Sequence, residues 1–406
     1  MNNLVYRFIK YGCGKPTPKK SRIDINLIND YNEVKDSLSS SLKCELLKLP
    51  QDSIFELSGG IDSSFIVSHF KGIKTFCAST SESNDKKYSS LISNEFNTRH
   101  ESKDQNVLLS MINFKKAIVD ICKNSKYPYA FKNDLGMYAF LNYISNKTNH
   151  VVCGSGIEFQ LMGYYTLFNS ILEQAIGIKE YDVKRALSYL EFNVKREKDV
   201  VPLDYKECLK YKKGNKYRLS QPKWWNSPFT DEEIFKLMNV HKSEITFTSI
   251  FEIENFILEW FGKLYTIDRP ADIAKIFGVT FFTPYMEKSI IDMTRKIPVE
   301  LKKALNYHKY IFYQIASEKL PWYILSRKKG GLDLDVNYFR KKENDILELS
   351  NRYLGSRSLK IYNYLDFKIV KKIHKEFRVN FDGIFKKLWL LLNLSIWLEE
   401  NGNICD

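Results

Sequence analysis

The chain has 406 residues, and 62 Lys+Arg against 48 Asp+Glu give it a formal charge of +14. Its 27 Phe, 25 Tyr and 6 Trp require a buried core, which excludes intrinsic disorder as the main state, and 18 Gly with 11 Pro exclude a collagenous chain. The strongest apolar run, residues 388–398, is too short to cross a bilayer, and the N-terminus has no signal-peptide pattern. Seven scattered cysteines without a C-x-x-C pair favour neither a disulfide framework nor a zinc site, which predicts a reduced, cytoplasmic protein.

The positive charge is compatible with RNA, a membrane surface or a nucleotide as a partner. A solvated, Lys-rich surface explains it as well, because the chain is rich in Lys, Asn and Ile throughout. We favour the solvated surface for most of the charge.

In chain order, residues 1–45 are polar and interrupted by glycine and proline, which predicts a short N-terminal segment. Strands then alternate with helices. The predicted strands are 53–57, 74–79 and 151–154, and the predicted helices are 62–71, 85–97, 106–123 and 134–147. This alternation predicts an α/β fold with a doubly wound parallel sheet, whose core we place at 46–175.

The pattern changes beyond residue 176. Residues 195–223 carry ten Lys/Arg and four Asp/Glu, a local charge of +6 (10 − 4), with aromatic residues between them. Such a stretch can bind nucleic acid or peptide, but an exposed insertion is the simpler interpretation, and we assign 176–230 as a basic insertion. The rest of the chain, 231–406, is predicted to be a helical C-terminal part. Its predicted helices are 231–239, 253–264, 270–277, 287–296, 308–319 and 384–399.

One segment carries most of the chemical information. It reads Leu57-Ser58-Gly59-Gly60-Ile61-Asp62-Ser63-Ser64 and lies between a predicted strand and a predicted helix. Two adjacent glycines allow backbone N–H groups to converge without side-chain obstruction, the three serines add hydroxyl donors, and the helix start adds its positive dipole end. These features predict a phosphate-binding loop.

Asp62 is the unexpected member of this loop, because a carboxylate beside phosphates is repulsive unless a divalent cation lies between them. Mg²⁺ prefers a few carboxylates together with phosphate oxygens and water, so the segment predicts a Mg²⁺–nucleotide site. The alternative, a glycine turn with Asp62 as a helix cap, suits an isolated Gly-Gly better than the whole string. The chain has no G-x-x-x-x-G-K-S/T, so the loop is not of the Walker type.

The string resembles the pyrophosphate loop (PP-loop) of the N-type ATP pyrophosphatases, which cleave ATP between the α and β phosphates and adenylate a substrate. Downstream segments resemble the C-terminal synthetase domain of the asparagine synthetase family, to which lasso-peptide cyclases and β-lactam synthetases are similar. These segments are 84–89, 98–101, 151–165, 284–287, 297–302 and, without a gap, 309–332. The resemblance covers roughly 55–400 and implies an ATP-dependent, AMP-forming carbon–nitrogen ligase with ATP and Mg²⁺ at residues 57–64.

The resemblance also implies roles for single residues. Asp62 and Glu158 would hold Mg²⁺, with Glu158 standing where the family has Asp. Lys329 would neutralise the pyrophosphate and the transition state, and Lys309 would contact phosphate as a second lysine.

Two further residues, Gly154 and Ser155, would lie near the acyl-adenylate, where their backbone N–H groups can donate hydrogen bonds.

Three features depart from the family pattern. The PP-loop begins at residue 57, which leaves no room before it for a glutaminase domain, so we expect a chain that does not make its own ammonia. Ser155 stands where the family has Glu, and Gly278-Val279-Thr280 falls where it usually has Glu-Val-Arg. These departures argue against ordinary asparagine synthesis.

The favoured hypothesis is a ligase of peptide natural-product biosynthesis that forms a macrolactam, as lasso-peptide cyclases do. It implies a peptide carboxylate and an amine as substrates, with a precursor peptide and a leader-binding or peptidase protein as partners. The alternatives are an enzyme like asparagine or β-lactam synthetase acting on a small molecule, a weakened homologue that binds nucleotide or peptide, and a tRNA-modifying adenylating enzyme. Nucleic acid is not the expected partner, and no membrane span is expected.

Overall fold

The structure is a computed structural model. It describes residues 2–11, 13–16, 28, 30–80, 83–161, 217–219, 228–239, 245–247, 256–297, 302–304, 307–327 and 334–401. The predicted basic stretch 195–223 lies outside these residues except for a three-residue strand. The predicted boundaries at 45, 175 and 230 stay predictions.

The centre of the described structure is a sheet of five strands, all of them parallel. A short antiparallel pair and a second, two-residue pair lie outside it. The strands in chain order are β1 (Ile54–Glu56), β2 (Lys74–Ser79), β3 (Arg99–Asp104), β4 (His150–Val152), β5 (Tyr217–Leu219), β6 (Ile245–Phe247), β7 (Thr280–Phe282), β8 (Lys303–Ala304) and β9 (Tyr307–His308).

Helices connect and cover these strands, as parallel pairing requires. The α-helices are α1 (Asn2–Tyr11), α2 (Tyr31–Leu46), α3 (Ile61–Val67), α4 (Asp85–Glu95), α5 (Gln105–Ser110), α6 (Phe114–Asn124), α7 (Asp134–Ile144), α8 (Ile157–Gln160), α9 (Asp231–Met238), α10 (Arg269–Ile276), α11 (Lys288–Arg295), α12 (Tyr310–Ala316), α13 (Trp322–Leu325), α14 (Val336–Arg340), α15 (Glu343–Leu354), α16 (Phe367–Phe377) and α17 (Phe381–Asn401). Residues Ile257–Gly262 and Leu264–Asp268 form π-helical turns before α10, and Pro284–Met286 and Lys360–Asn363 are 3₁₀ turns.

The order of strands in the sheet is β3-β2-β1-β4-β7. The chain therefore moves outward in one direction from β1 to β3 and then returns to place β4 on the other side of β1. The strand order reverses between β1 and β4, and the crevice at the carboxyl ends of the strands at such a switch point is where open α/β sheets bind ligands. The loop after β1 is the predicted phosphate loop.

The two faces of the sheet belong to two different cores, because successive side chains of a strand point to opposite faces. Ile54, Phe76 and Val151 lie in the core formed with α5, α6, α7 and α17. Phe55 and Val152, each one residue further along its strand, lie in the core formed with α2, α3 and α12. Burial of the sheet on both faces confirms the doubly wound α/β prediction.

Several predicted elements differ from those observed. The segment 1–45 contains α1 and most of α2, so it is more regular than its composition indicated. The single helix predicted at 106–123 is divided into α5 and α6, because the side chain of Asn113 caps a new helix start by accepting the N–H of Lys116 at 3.0 Å. Strands β3 and β7 were not predicted.

Among the described residues, no helix is both long enough and apolar enough to cross a membrane. The closing helix α17 has 21 residues, but it is buried within the protein and carries buried Asn393 and Ser395.

Candidate active site

The predicted phosphate loop follows β1 and begins α3. Leu57 is buried and continues the strand, since its N–H donates to the carbonyl of Phe76 at 2.8 Å. Gly59 then adopts φ +70°, a left-handed conformation that favours glycine. A Cβ placed on Gly59 would lie 2.5 Å from the carbonyl carbon of Tyr88, so the loop packs directly on the backbone of α4. Glycine is required here for both reasons.

The serines of the loop have different surroundings. Oγ of Ser63 accepts the N–H of Ser58 at 3.3 Å, and the same hydroxyl donates to the carbonyl of Gly60 at 3.3 Å. Oγ of Ser58 in turn accepts the N–H of Gly60 at 3.2 Å. These bonds fix the turn, and Ser58 is exposed there. Ser64 is fully buried, and its Oγ has no hydrogen-bond partner among the described residues, so its contact with phosphate stays a prediction.

Asp62 projects from the first turn of α3 and is paired with a residue 247 positions away. The Nζ of Lys309 lies 2.5 Å from Oδ1 of Asp62, with side-chain exposures of 7% for Lys309 and 17% for Asp62. The hydroxyl of Tyr285 donates to the Asp62 carbonyl at 2.7 Å. The structure therefore brings two predicted site residues, Asp62 and Lys309, into direct contact at the loop.

Lys309 is held in place by its backbone. It has φ +59°, which is left-handed and uncommon for a residue with a Cβ, and its N–H donates to the carbonyl of Leu161 at 3.0 Å. It also lies immediately before α12, which is packed in the α3 side of the core. A long, rotatable side chain is thereby anchored at its base.

A second ion pair at the loop was not predicted from the sequence, although Arg327 lies within the segment 309–332 that resembles the family. Arg327 forms a buried salt bridge with Asp85 at the start of α4, and its Nη1 donates to the carbonyl of Ser58 at 2.8 Å. Its guanidinium also lies 4.6 Å from the ring centre of Tyr88. Because Arg presents several donors in a fixed plane, one side chain can tie the loop to α4. The spacing of 309–332 was the only sequence signal for it.

The loop after β4 approaches the phosphate loop closely. A Cβ placed on Gly154 would lie 2.8 Å from the Cα of Ser63, which requires glycine at that position. Ser155 is half-buried, and its Oγ accepts a hydrogen bond from the Cys153 thiol at 3.3 Å. Glu158, on α8, is buried, and its Oε2 accepts the N–H of Gly156 at 2.7 Å. The predicted neighbours Gly154 and Ser155 therefore lie at the same crevice as the phosphate loop.

The acidic residues fit a magnesium ion that is completed by a nucleotide. Among the described residues, no cluster of three or more His, Cys, Asp or Glu side chains could hold a metal alone. Asp62 and Glu158 both act electrostatically on Tyr285, whose pKa is raised far above its usual value, chiefly by burial and then by these two carboxylates. Mg²⁺ sites of nucleotide enzymes commonly use one or two carboxylates plus phosphate oxygens, and the assignment of Asp62 and Glu158 as the ligands stays a prediction.

Two other sequence predictions concern Lys329 and Gly278, which the structure does not show at the phosphate loop. Lys329 lies outside the described residues, as does Gly331 of the same motif, so the role of Lys329 stays a prediction. Gly278 lies before β7, at the amino end of that strand, in a turn with φ +65°. The phosphate loop is at the carboxyl ends of the strands, so the absence of a carboxylate at Gly278 has no direct bearing on the site.

Fold and site together define a class of protein, the α/β proteins that carry a glycine-rich loop at the switch point of a parallel sheet. A parallel sheet with this strand order, a glycine loop at its switch point, and an acidic residue in that loop are the features of the class observed here. The chain belongs to the asparagine synthase family, whose sequence profile, described as "Asparagine synthase", matches residues 34–399.

A comparison with curated proteins agrees with this family. The chain is similar to "Asparagine synthetase [glutamine-hydrolyzing] 1" of Bacillus subtilis (strain 168), with 25% identity over 118 residues. The matched part is 29% of this chain and 18% of that protein, so the similarity spans less than a fifth of the relative's length.

Proposed function

We propose that the protein adenylates a substrate carboxylate with ATP, releases pyrophosphate, and transfers the acyl group to an amine to form an amide. The observation that carries the proposal is the Asp62–Lys309 pair at the mouth of a glycine loop. An anion and a cation at that point can serve a metal-bound polyphosphate, whereas a purely structural turn requires neither.

The chemistry assigns a task to each part of the crevice. In the first step a carboxylate oxygen attacks the α-phosphorus, the bond from that phosphorus to the bridging oxygen breaks, and pyrophosphate leaves. Lys309 would neutralise charge on the departing phosphates, and the backbone N–H group of Gly59 would bind them. Asp62 and Glu158 would hold Mg²⁺, which screens the phosphate charges when bound. In the second step an amine attacks the acyl carbon and AMP leaves.

The proposed product is a macrolactam in a peptide natural product, in which one precursor peptide supplies both carboxylate and amine. Support comes from Ser155, a short, uncharged residue at the crevice where the resemblance gives a carboxylate. A leader-binding or peptidase protein would present the peptide. The second candidate, a ligase of small amino acids, is favoured by the similarity to a protein named asparagine synthetase.

Isotope exchange between ATP and pyrophosphate tests the first step alone. The purified full chain is supplied with Mg²⁺, ATP and labelled pyrophosphate, together with L-aspartate, L-glutamate, or synthetic peptides that carry a free N-terminus and an internal Asp or Glu. We expect exchange that depends on one of the peptides and amide formation within that peptide. Exchange only with free aspartate, and amide formation only with ammonia, would favour the small-molecule candidate instead.

Two variants serve as matched tests. Asp62→Asn removes the charge of the loop and is expected to abolish exchange. Asp292→Asn removes a charge of the same kind from α11, where it pairs with Lys288 on the surface, and should leave exchange unchanged. Exchange that survives Asp62→Asn, or a wild type without exchange for any carboxylate, contradicts the proposal.

A further inference from the structure

Arg327 reaches the phosphate loop from a part of the chain that is 269 positions away. Its Nη1 donates to the carbonyl of Ser58 at 2.8 Å, and its Nη2 donates to Oδ1 of Asp85, the first residue of α4. The Cζ atom of Arg327 lies 4.6 Å from the ring centre of Tyr88, which is also on α4. The guanidinium group is therefore restrained by two hydrogen bonds and by one aromatic ring.

This restraint sets the direction of one peptide bond. Ser58 and Gly59 are joined by a trans peptide, in which the C=O and the N–H lie in one plane and point in opposite directions. Because the carbonyl of Ser58 points at Arg327, the N–H of Gly59 points away from the guanidinium group. Gly59 does not fix this direction by itself, since glycine adopts positive and negative φ about equally readily.

The N–H of Gly59 differs from the neighbouring N–H groups of the loop. The N–H of Ser58 donates to Oγ of Ser63, and the N–H of Gly60 donates to Oγ of Ser58. Among the described residues, the N–H of Gly59 donates to no acceptor, although Gly59 is buried. A buried N–H without an acceptor is unfavourable, and a phosphate oxygen would supply one.

We infer that Arg327 is a positioning residue of the first step, because it directs the N–H of Gly59 toward the phosphates of ATP. This inference rests on the proposed function. If the peptide turned over, the carbonyl oxygen of Ser58 would face the phosphate oxygens, and their negative charges would repel one another. Arg327 acts through the loop, since two of its nitrogens already donate to Ser58 and Asp85.

Two variants separate this positioning role from a direct contact between Arg327 and phosphate. Arg327→Lys keeps the positive charge, but an ammonium group does not reproduce the fork geometry that bonds Ser58 and Asp85 together. Asp85→Asn keeps Arg327 and weakens the partner that orients it. A direct contact with phosphate would become stronger when the carboxylate of Asp85 is lost, whereas a positioning role predicts weaker nucleotide binding in both variants.

The matched control is Arg269→Lys. Arg269 forms a salt bridge with Asp134, and their side chains are 9% and 5% exposed, against 7% and 9% for Arg327 and Asp85. Its Cζ atom also lies 4.6 Å from an aromatic ring centre, that of Phe131. This pair joins the starts of α10 and α7, so its disruption should lower stability without turning the peptide at Gly59.

Nuclear magnetic resonance can report on this one peptide bond. The chain contains two Ser-Gly pairs, Ser58-Gly59 and Ser155-Gly156. Cell-free synthesis with ¹³C-carbonyl serine and ¹⁵N-glycine therefore gives two peaks in an HNCO spectrum. The peak that disappears in Ser155→Ala belongs to Gly156, and the other belongs to Gly59. Calorimetric titration with α,β-methylene-ATP and Mg²⁺ measures the dissociation constant of the nucleotide.

In the wild type, we expect the proton signal of Gly59 to move downfield when α,β-methylene-ATP and Mg²⁺ bind. Arg327→Lys should lose most of this shift and raise the dissociation constant about tenfold or more, as for loss of one hydrogen bond to a charged group. Asp85→Asn should change both quantities in the same direction by less, because its amide oxygen still accepts from Arg327. Arg269→Lys should match the wild type in both.

Three outcomes overturn the inference: a full downfield shift of Gly59 in Arg327→Lys, a wild-type signal that does not respond to the nucleotide, and tighter nucleotide binding in Asp85→Asn. The last would mean that Arg327 contacts phosphate directly. Melting temperatures check that each variant folds, and Asp85→Asn, the milder change, decides alone if Arg327→Lys does not.

Failure of the proposed function gives a different result. A wild type that shows the Gly59 shift, with weaker binding in Arg327→Lys, but no ATP–pyrophosphate exchange for any carboxylate contradicts the proposed reaction. The same result supports the role of Arg327 in presenting the N–H of Gly59 to a nucleotide.

Discussion

At the scale of single residues, Lys309 has a left-handed backbone conformation that is unfavourable for a lysine, and its side chain is paired with Asp62 at the loop. A left-handed φ costs a residue with a Cβ roughly 1–2 kcal/mol, and such conformations persist only where neighbouring structure enforces them. Here the N–H bond to Leu161 and the ion pair with Asp62 do so. The strain is tolerated because the same backbone aims the ammonium group at the phosphate loop.

Two substitutions of Lys309 separate these contributions. Both Lys309→Ala and Lys309→Gly remove the ammonium group, so we expect each to lower ATP–pyrophosphate exchange by about 10²-fold or more, the usual loss for one preorganised group that stabilises developing charge. Lys309→Gly also relieves the left-handed strain, so its free energy of unfolding should exceed that of Lys309→Ala by about 1 kcal/mol. Urea denaturation measures this difference.

The control for these variants is Lys288→Ala. Lys288 pairs with Asp292 on the surface, with 89% of its side chain exposed, and its loss should change neither exchange nor stability measurably. Equal stabilities of Lys309→Ala and Lys309→Gly would show that the conformation at 309 carries no strain. Exchange at the wild-type rate in either variant would remove Lys309 from the site.

Gly59 and Gly72 allow the cost of a left-handed backbone to be separated from the cost of a steric clash. Both have left-handed φ values, +70° and +67°, but a Cβ on Gly59 would meet the backbone of Tyr88 at 2.5 Å, whereas a Cβ on Gly72 would meet no atom within 4 Å. Gly72→Ala should therefore cost only the backbone strain, about 1–2 kcal/mol. Gly59→Ala should cost a further 1–3 kcal/mol, roughly the cost of overpacking, and should also abolish exchange. Urea denaturation of both variants tests this, and equal losses would contradict it.

At the scale of elements, the sequence predicted those strands whose residues are apolar. Strands β1, β2 and β4 contain Ile54, Phe76 and Val151, which face a helical core and produce a visible pattern. Strand β3 reads Arg-His-Glu-Ser-Lys-Asp and is held to β2 by backbone pairing along the edge of the sheet, where side chains give little signal. Pattern reasoning fails in such places because pairing, not composition, decides the structure. Strand β7 is an exception, because it contains Phe281 and Phe282, is as long as β1 and β4, and was still not predicted.

The site was partly predictable for a related reason. The residues at 57–64 are contiguous, so their spacing alone indicated a phosphate loop. The contacts of Asp62 with Lys309 and of Arg327 with Asp85 join residues more than 240 positions apart, and no local pattern contains them. The position of Lys309 came only from resemblance to a family.

The closing helix α17 contributes to the stability of the fold through large side chains buried in the core. Trp397 is almost fully buried, and its Nε1 donates to the carbonyl of Ser125 at 2.9 Å, which joins α17 to the end of α6. Trp397→Ala should lower the free energy of unfolding by about 3–5 kcal/mol, because it removes a large buried ring and leaves a buried carbonyl without its donor.

Trp322 provides the control for this prediction, since it is the same residue type with 76% exposure. Trp322→Ala should change stability by less than about 0.5 kcal/mol. Denaturant midpoints of the two variants measure the contrast, and similar losses would mean that the burial of α17 does not decide stability.

At the scale of the whole molecule, the crevice is assembled from parts that are distant in sequence. The phosphate loop, the start of α4, the loop after β4, the 3₁₀ turn at Pro284–Met286, and Lys309 and Arg327 converge on it. The neighbouring positions of β1 and β4 in the sheet make this convergence possible, because the loops that follow these two strands lie side by side. A nucleotide bound there would touch segments from most of the chain.

Such binding should therefore protect several separate segments at once. With Mg²⁺ and α,β-methylene-ATP, which has no cleavable bond between the α and β phosphates, hydrogen exchange should slow together at 57–64, 85–89 and 153–158. Ligand at a hundred times its dissociation constant stabilises a folded protein by about 2.7 kcal/mol, which a rise in melting temperature should report. Chelation of Mg²⁺ with EDTA should remove both effects, because an unscreened polyphosphate would meet the carboxylates of Asp62 and Glu158. Asp62→Asn should also remove both effects, because it takes away one of the two predicted Mg²⁺ ligands. Protection limited to 57–64, or equal protection with and without Mg²⁺, would show that the two acidic residues do not act on a shared metal and that the loop binds phosphate alone.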